Sequence, residues 1–144
     1  MQLTRFTDYG LRTLVYLSVL PSERLASIDE VCKTFALSRN HVTKIVHKLG
    51  QEGYVQTVRG QGGGIRLALP PSVINLGDVV RTLEPNMTPV NCSEPAVCVL
   101  LPGCELKNVF ADAVDAFLTE LDKYTLEDLI NPKKVIKLLG VSTK

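Results

Sequence analysis

Residues 27–50 read SIDEVCKTFALSRNHVTKIVHKLG, and residues 54–69 read YVQTVRGQGGGIRLAL. In the first stretch, apolar residues recur at helical spacing over 27–37 and again over 40–50, on either side of a polar break at Ser38-Arg39. The second stretch alternates apolar and polar residues around a glycine-rich turn, which predicts a β-hairpin. Two short helices joined by a tight break and followed by a hairpin are typical of a winged helix-turn-helix.

Boundary residues support this interpretation. Ser27 and Glu30 have the spacing of a capping box at the start of the first helix. Gly50 and Gly53 mark the end of the second helix, and Pro70-Pro71 ends the hairpin. The helix-turn-helix and the hairpin are therefore bounded at both ends by residues that stop regular structure.

Helical patterns flank this unit on both sides. They cover Asp8–Leu20, Leu76–Glu84 with Asn75 as its cap, Glu105–Tyr124, and a final turn at Leu126–Ile130. The long pattern carries an apolar seam with coiled-coil-like spacing, which favours packing against a partner helix. The seam consists of Leu106, Phe110, Ala113, Phe117, Leu121 and Tyr124. The predicted fold class is mainly α with a small β-hairpin, a winged helix-turn-helix plus a long C-terminal dimerisation helix.

We predict three units along the chain. A winged helix-turn-helix DNA-binding domain covers 1–84, a cysteine-bearing loop covers 85–104, and a dimerisation helix with a C-terminal tail covers 105–144. The middle unit holds four of the eight prolines and three of the four cysteines. A proline density of this kind excludes a regular helix or a central strand there.

Composition and charge narrow the class of protein. With 144 residues, 45% hydrophobic and 22% charged, the chain suits one soluble domain with an appended arm. No apolar run approaches the ~20 residues of a membrane span, and the N-terminus lacks signal-peptide features, so we expect a cytoplasmic protein without a membrane partner. The formal charge of +1 divides into +4 over 1–66 and −3 over the remainder. A basic N-terminal part is typical of a nucleic-acid-binding domain.

Polar residues outside the predicted core form the candidate DNA-binding set. The second helix and its lead-in combine donors suited to base edges with cations suited to phosphates. Two arginines flank the glycine turn, whose small residues would let the backbone approach a narrow A·T-rich minor groove. Arg12 faces away from the apolar stripe of the first helix. The set is Arg12, Ser38, Arg39, Asn40, His41, Lys44, Lys48, Arg59, Gly60 and Arg66.

Three cysteines are evenly spaced, as Cys92-x5-Cys98-x5-Cys104. Structural zinc sites usually pair cysteines two to four residues apart, and the redox motif C-x-x-C is absent. Three soft thiolates on a proline-stiffened loop suit an iron–sulfur cluster, but spacing also leaves open a zinc site, a thiol switch or unliganded thiols. Cys32 differs, because it shares an apolar helix face and is expected to be a core residue.

Enzymatic chemistry finds no support in the sequence. The glycines at 60–64 fit neither the P-loop nor the full dinucleotide fingerprint. His41 and His47 both lie on the second helix of the predicted pair, with no nucleophile motif nearby. We therefore expect a binding protein and not an enzyme.

Several motifs together resemble the NsrR family of nitric-oxide-sensing transcriptional repressors. The resemblance spans nearly the whole chain. It rests on LTRFTDYGLR (3–12), SRNH (38–41), GYV (53–55), RG (59–60), GGIRL (63–67), VNC (90–92) and FLTELD (117–122). This family belongs to a superfamily of dimeric winged-helix regulators that also includes the iron–sulfur biosynthesis regulator IscR.

The resemblance implies a homodimer that represses transcription from a palindromic DNA operator and responds to nitric oxide. It implies a cluster on Cys92, Cys98 and Cys104, most readily [4Fe-4S] with [2Fe-2S] also possible. Asp8 of the partner subunit would be the fourth ligand, although its position alone suggests only an acid favoured by the helix dipole. IscR-like proteins use a histidine where this chain has Lys107. The alternatives are a zinc or thiol redox sensor, or an iron–sulfur regulator that senses cluster or iron status.

Overall fold

The computed structural model describes residues 2–130 and 132–141. Residue 131 and residues 142–144 of the predicted C-terminal unit lie outside the described residues. Short 3-10 turns occur at Pro71–Val73, Leu101–Gly103 and Glu127–Leu129. The helices and strands are α1 (Arg5–Ser18), α2 (Ile28–Phe35), α3 (Arg39–Gln51), β1 (Val55–Val58), β2 (Gly64–Leu67), α4 (Leu76–Leu83), α5 (Glu105–Leu121) and α6 (Pro132–Leu139).

The predicted fold class is confirmed, with differences at the helix ends. α1 begins three residues before the predicted start at Asp8, because Thr4 serves as its N-cap. α3 begins at Arg39, which the sequence placed in the break, because Ser38 caps that helix. The turn predicted over 126–130 is only a 3-10 turn, and α6 was not predicted.

The main core lies between α1, α2, α3 and the hairpin. Leu14, Val31, Ile45 and Leu49 are fully buried there, and Ile65 of β2 is nearly so. These residues supply one face of each element, as the helical and alternating patterns require. The helix-turn-helix and the hairpin therefore pack on one continuous apolar core.

The hairpin is held to the helices by backbone hydrogen bonds as well as by packing. β1 and β2 pair antiparallel, with Val55 opposite Leu67. Ala26, just before α2, exchanges two backbone hydrogen bonds with Ile65, at 2.9 and 2.8 Å. A Cβ atom on Gly64 would lie 2.5 Å from the carbonyl oxygen of Ala26, so only glycine fits at this crossing. The base of the wing is therefore fixed relative to the helix-turn-helix.

A second, smaller core joins α4 to α5. Val80 of α4 packs with Val114 and Leu118 of α5. At the end of α5, Asp122 accepts two hydrogen bonds from the Arg81 guanidinium, at 2.6 and 2.7 Å. Charge-assisted bidentate pairing of this kind fixes orientation as well as distance. The C-terminal end of α5 is thereby attached to α4.

The predicted seam on α5 is only partly correct. Phe117 and Leu121 pack against the chain's own second core instead of facing outward. The exposed apolar face of α5 is rotated from the predicted seam and runs through Leu106, Val109, Ala113 and Ala116. Periodicity alone did not distinguish these faces, because both are apolar.

Candidate DNA-binding surface and cysteine segment

α3 separates its apolar and polar residues cleanly. Val42, Ile45, Val46 and Leu49 are buried, whereas the candidate side chains of this helix point away from the core. Those candidates are Arg39, Asn40, His41, Lys44 and Lys48. The structure thus places the predicted recognition residues together on one exposed helix surface.

Some of these side chains already have intramolecular partners. Ser38 caps α3, its hydroxyl oxygen accepting from the backbone N–H of His41 at 3.4 Å. Arg39 pairs with Asp29 of α2, and Lys48 Nζ lies 2.6 Å from Glu52 Oε1. Both ion pairs are solvent-exposed, so they contribute little to stability. DNA phosphates could therefore displace the acidic partners at small cost.

The hairpin tip carries the remaining basic candidates. Arg59 and Gly60 are exposed, and Gly60 has a φ of +98°, which favours glycine. Arg59 forms no hydrogen bond or ion pair with any residue of 2–130 or 132–141. Arg66 is half-buried and its Nε donates to Gln56 Oε1 at 2.9 Å. Of the two arginines, Arg59 is the one free to reach outward.

Asp8 and Arg12 lie together on α1. Arg12 Nε donates to Asp8 Oδ1 at 2.8 Å, and its guanidinium lies 5.9 Å from the centroid of the Tyr9 ring. The Tyr9 ring is in turn 6.4 Å from that of His41 on α3. The candidate ligand Asp8 is therefore connected to α3, the recognition helix of the helix-turn-helix, through Arg12 and Tyr9.

The three evenly spaced cysteines lie in an irregular segment, here called the cysteine segment, at residues 85–104. The backbone N–H of Cys98 donates to the carbonyl oxygen of Cys92 at 2.9 Å, and that of Leu101 donates to Cys98 at 3.0 Å. Cys104 directly precedes α5. All three thiols are free and partly exposed, which leaves each available as a ligand or a redox group.

The donor set fits an iron–sulfur cluster chemically, since such clusters are held by cysteine thiolates. Within the described ranges, however, no three side chains among His, Cys, Asp and Glu converge closely enough to hold a metal ion. A backbone hydrogen bond closes the loop between Cys92 and Cys98. The segment supplies three thiols, so a cluster with four protein ligands would take its fourth donor from outside the segment.

A cleft of about 580 Å³ separates the start of the cysteine segment from α5. Its walls are largely apolar, and Cys92 lies on its edge. The lining includes Met87, Leu101, Phe110 and Val114. The cleft thus leaves one side of Cys92 open to a space large enough for a small molecule.

The fourth cysteine, Cys32, is partly buried against the main core, as predicted. Burial raises the pKa of its thiol, and the nearby Asp29 carboxylate adds to the effect. A raised pKa disfavours the reactive thiolate. Cys32 is therefore a packing residue separate from the cysteine segment.

One polar residue near the segment was missed by sequence reasoning. Glu84, at the end of α4, is only 8% exposed and accepts hydrogen bonds from Thr4 and Thr7 at the start of α1. A glutamate before a proline carries no local signal of this role. Its partners lie almost eighty positions earlier in the sequence, so only the tertiary structure reveals them.

Comparison with known proteins supports the DNA-binding assignment. Residues 3–132 match the family model Rrf2, described as an iron-dependent transcriptional regulator. Among solved structures, CymR (YrzC), the global cysteine regulator of B. subtilis, has 29% identity and a TM-score of 0.68, covering 90% of this chain and 95% of that one. The oxidised form of Staphylococcus aureus CymR has 27% identity and a TM-score of 0.72, covering 91% and 97%.

A third similar structure, T. potens IscR, has 24% identity and a TM-score of 0.71, covering 90% of this chain and 85% of that one. At this identity the similarity concerns the fold alone.

Across the described ranges, no helix is both long enough and apolar enough to cross a bilayer. With its exposed basic α3 and wing, the chain belongs to the Rrf2 family and is a DNA-binding transcriptional regulator.

Proposed function

We propose that this protein is a dimeric repressor whose operator binding is controlled by an iron–sulfur cluster that senses nitric oxide. The observation that carries the proposal is the cysteine segment. It presents three free thiols, and it connects the winged-helix domain directly to α5. We accordingly assign DNA reading to 1–84, sensing to 85–104 and dimerisation to 105–144.

Operator recognition would use α3 in the major groove and the hairpin tip in the adjacent minor groove. Asn40, His41 and Lys44 are exposed on α3 and suit base edges and phosphates. At the tip, the guanidinium of Arg59 beside Gly60 has no partner among residues 2–130 and 132–141, and it suits a narrow, negative groove. Such contacts are made twice by a dimer, which predicts a palindromic operator.

The exposed face of α5 supports a second copy of the chain as the partner. Leu106 and Val109 are 57% and 59% exposed, and they align with Ala113 and Ala116. Exposed large apolar side chains next to small ones suit close helix-to-helix packing. A dimer built here would set the separation of the two recognition helices.

Cys92, Cys98 and Cys104 would hold the cluster, most readily [4Fe-4S], with Asp8 contributed across the dimer as the oxygen ligand. When bound, the group supplies iron that reacts with nitric oxide. The apolar cleft beside Cys92 admits a small uncharged molecule of this kind. A carboxylate is a harder and weaker ligand for iron in such a cluster than a thiolate, so Asp8 is the ligand most easily given up.

Release of Asp8 would matter because of where α1 lies. α1 packs directly on α3, and Tyr9 of α1 lies beside His41 of α3. When the Asp8 carboxylate binds iron, Arg12 loses its ion-pair partner. When the carboxylate is released from iron, it can pair with Arg12 again. These two states of α1 would present α3 differently to the operator, which is a two-state switch biased by ligation.

Anaerobic purification followed by absorption spectroscopy, with iron and sulfide quantified, tests the proposal. We expect visible absorbance, operator binding by the loaded protein, and loss of binding after nitric oxide is added. Cys98→Ala should lose the absorbance and specific binding together, whereas Cys32→Ala should keep both. Tight operator binding by iron-free Cys98→Ala would contradict the proposal.

A thiol redox sensor is the second candidate. One supporting observation is the 27% identity with S. aureus CymR, whose structure was determined in an oxidised form. A second is that no group of three metal-binding side chains is preformed in the described residues. In that case purified protein would contain no iron, and operator binding would follow oxidation of Cys92, Cys98 or Cys104. The metal analysis above separates the two candidates.

A further inference from the structure

A buried carboxylate links the end of α4 to the start of α1. Glu84 is 8% exposed. Its Oε2 atom accepts from Thr7 Oγ1 at 2.6 Å, from the backbone N–H of Thr4 at 3.0 Å and from Thr4 Oγ1 at 3.1 Å. Three hydrogen bonds converge on one oxygen, so the charge that burial would penalise is compensated.

These bonds act on the N-terminus of α1. The first N–H groups of a helix lack intrahelical partners, and the helix dipole favours a negative charge there. Thr4 caps α1 only weakly by itself, since its hydroxyl accepts from the Thr7 N–H at 3.4 Å. Glu84 therefore acts as a capping carboxylate supplied by another part of the chain.

The positions of the partners connect the two candidate ligand regions. Thr7 directly precedes Asp8, and Glu84 directly precedes Pro85, where the cysteine segment begins. One helical turn further on, a Cβ atom on Gly10 would lie 2.4 Å from Leu83 Cδ1, so α1 and α4 already touch. A shift at the start of the cysteine segment would thus be felt first at the turn of α1 that carries Asp8.

The other end of the segment reaches α4 only through α5. Cys104 leads into α5, which packs on α4 through Val114 and Leu118 and is paired with it at Asp122. The Glu84 end of the cysteine segment is therefore joined to α4 directly, and the Cys104 end is joined to it along α5. Because α4 contacts α1 and α1 contacts α3, Glu84 lies where the cysteine segment meets a continuous series of packed helices that ends at α3.

We propose that Glu84 is a positioning residue, which holds the first turn of α1 and Asp8 in place and transmits the state of the cysteine segment to α3. This rests on the proposed function. Glu84 itself is not assigned as a ligand. Its contribution is to the geometry of Asp8 and to the coupling between iron loading and operator affinity.

The first test is hydrogen exchange in the metal-free protein. In Glu84→Ala, backbone amides of residues 5–10 should exchange about tenfold faster or more, because the cap and the link to α4 are both lost. Glu30→Ala is the matched control, since Glu30 is also a partly buried capping carboxylate but caps α2. It contacts α1 only at Tyr16, near the opposite end, so exchange of residues 5–10 should be unchanged. Unchanged exchange in Glu84→Ala would overturn the positioning role.

The second test compares operator affinity with and without iron. Glu84→Ala should reduce the ratio of the two affinities several-fold, whereas a purely structural role would lower both affinities equally and overturn the coupling. Should Glu84→Ala fail to fold, Thr7→Val is the second variant and is subject to the same two criteria. It removes the 2.6 Å bond to Glu84 and the 3.2 Å contact with the Thr4 hydroxyl, and it leaves both bonds from Thr4 to Glu84 in place. If the operator affinity of the wild-type protein does not depend on iron, both the proposed function and the coupling are contradicted. The exchange test would still decide whether Glu84 positions the turn that carries Asp8.

Discussion

Asp8 and Arg12 lie one helical turn apart on α1 and form an ion pair in which Arg12 Nε is 2.8 Å from Asp8 Oδ1. The hydrogen bond that Arg12 donates to this carboxylate raises the pKa of Arg12 above its usual value. Both side chains are substantially exposed, at 42% for Asp8 and 50% for Arg12. Exposed i,i+4 pairs contribute less than about 1 kcal/mol, so Asp8 can exchange this partner for another at little cost.

Asp8→Ala should therefore alter the sensor more than the fold. We expect the variant to keep iron on its three cysteines but to lose it faster in air and to respond differently to nitric oxide. The measurement is an anaerobic titration followed by visible absorbance. Thr119→Ala, an exposed site on α5, is the control. A titration curve identical to that of the wild type would leave Asp8 as an ordinary acid near the start of a helix.

Arg59→Ala should weaken specific operator binding by about 1–3 kcal/mol, because an exposed guanidinium with no partner in the described part of the chain is free to enter the minor groove. The salt dependence of binding should become shallower at the same time. Fluorescence anisotropy at several salt concentrations measures both quantities. Lys123→Ala removes a positive charge from the far end of α5, where Lys123 pairs with Glu120, and should change neither.

Gly10→Ala should destabilise the fold by about 1–3 kcal/mol through overpacking between α1 and α4. The added Cβ would lie 2.4 Å from Leu83 Cδ1, so that side chain must move. Gly50→Ala is a matched control in α3, where the added Cβ would lie 3.6 Å from the carbonyl oxygen of Val55, an ordinary van der Waals contact. It should stabilise by up to about 1 kcal/mol through helix propensity. Urea unfolding monitored by circular dichroism gives both values, and equal effects would contradict the packing argument.

Val109→Glu should dissociate the proposed dimer, because it places a charge in the centre of the exposed apolar face of α5. Sedimentation velocity at micromolar concentration measures the change in mass. Val73→Glu introduces the same charge at a valine that is 60% exposed, close to the 59% of Val109, but outside α5. A dimer that survives Val109→Glu would place the interface elsewhere on the molecule.

Alkylation should distinguish Cys32 from the cysteine segment. Burial raises the pKa of Cys32, so its thiolate fraction at neutral pH is lower than that of an ordinary cysteine, and it rises only at more alkaline pH. Iodoacetamide labelling of metal-free protein at pH 7, read by peptide mass spectrometry, should therefore modify Cys32 last. Early modification of Cys32 would show that the core around α2 opens readily.

Local patterns determined much of this protein before any tertiary structure was considered. Helical spacing, the Ser27–Glu30 capping box and the alternation around the glycine turn are signals carried by neighbouring residues, and the structure confirms each. The same signals placed the polar residues of α3 on one surface, because a helix that buries Val42, Ile45 and Leu49 must expose the residues between them.

Contacts between distant residues were decided only by the tertiary structure. Which of its two apolar faces α5 leaves exposed depends on which face packs against α4. The hydrogen bond from Thr7 to Glu84 likewise joins the start of α1 to the end of α4. Likewise, the start of α1 at Arg5 depended partly on Glu84 supporting the weak cap at Thr4. Sequence periodicity reports which residues share a face, but it carries no information on what covers that face. For this reason the recognition helix could be predicted from the sequence, whereas the link from the cysteine segment to α1 could not.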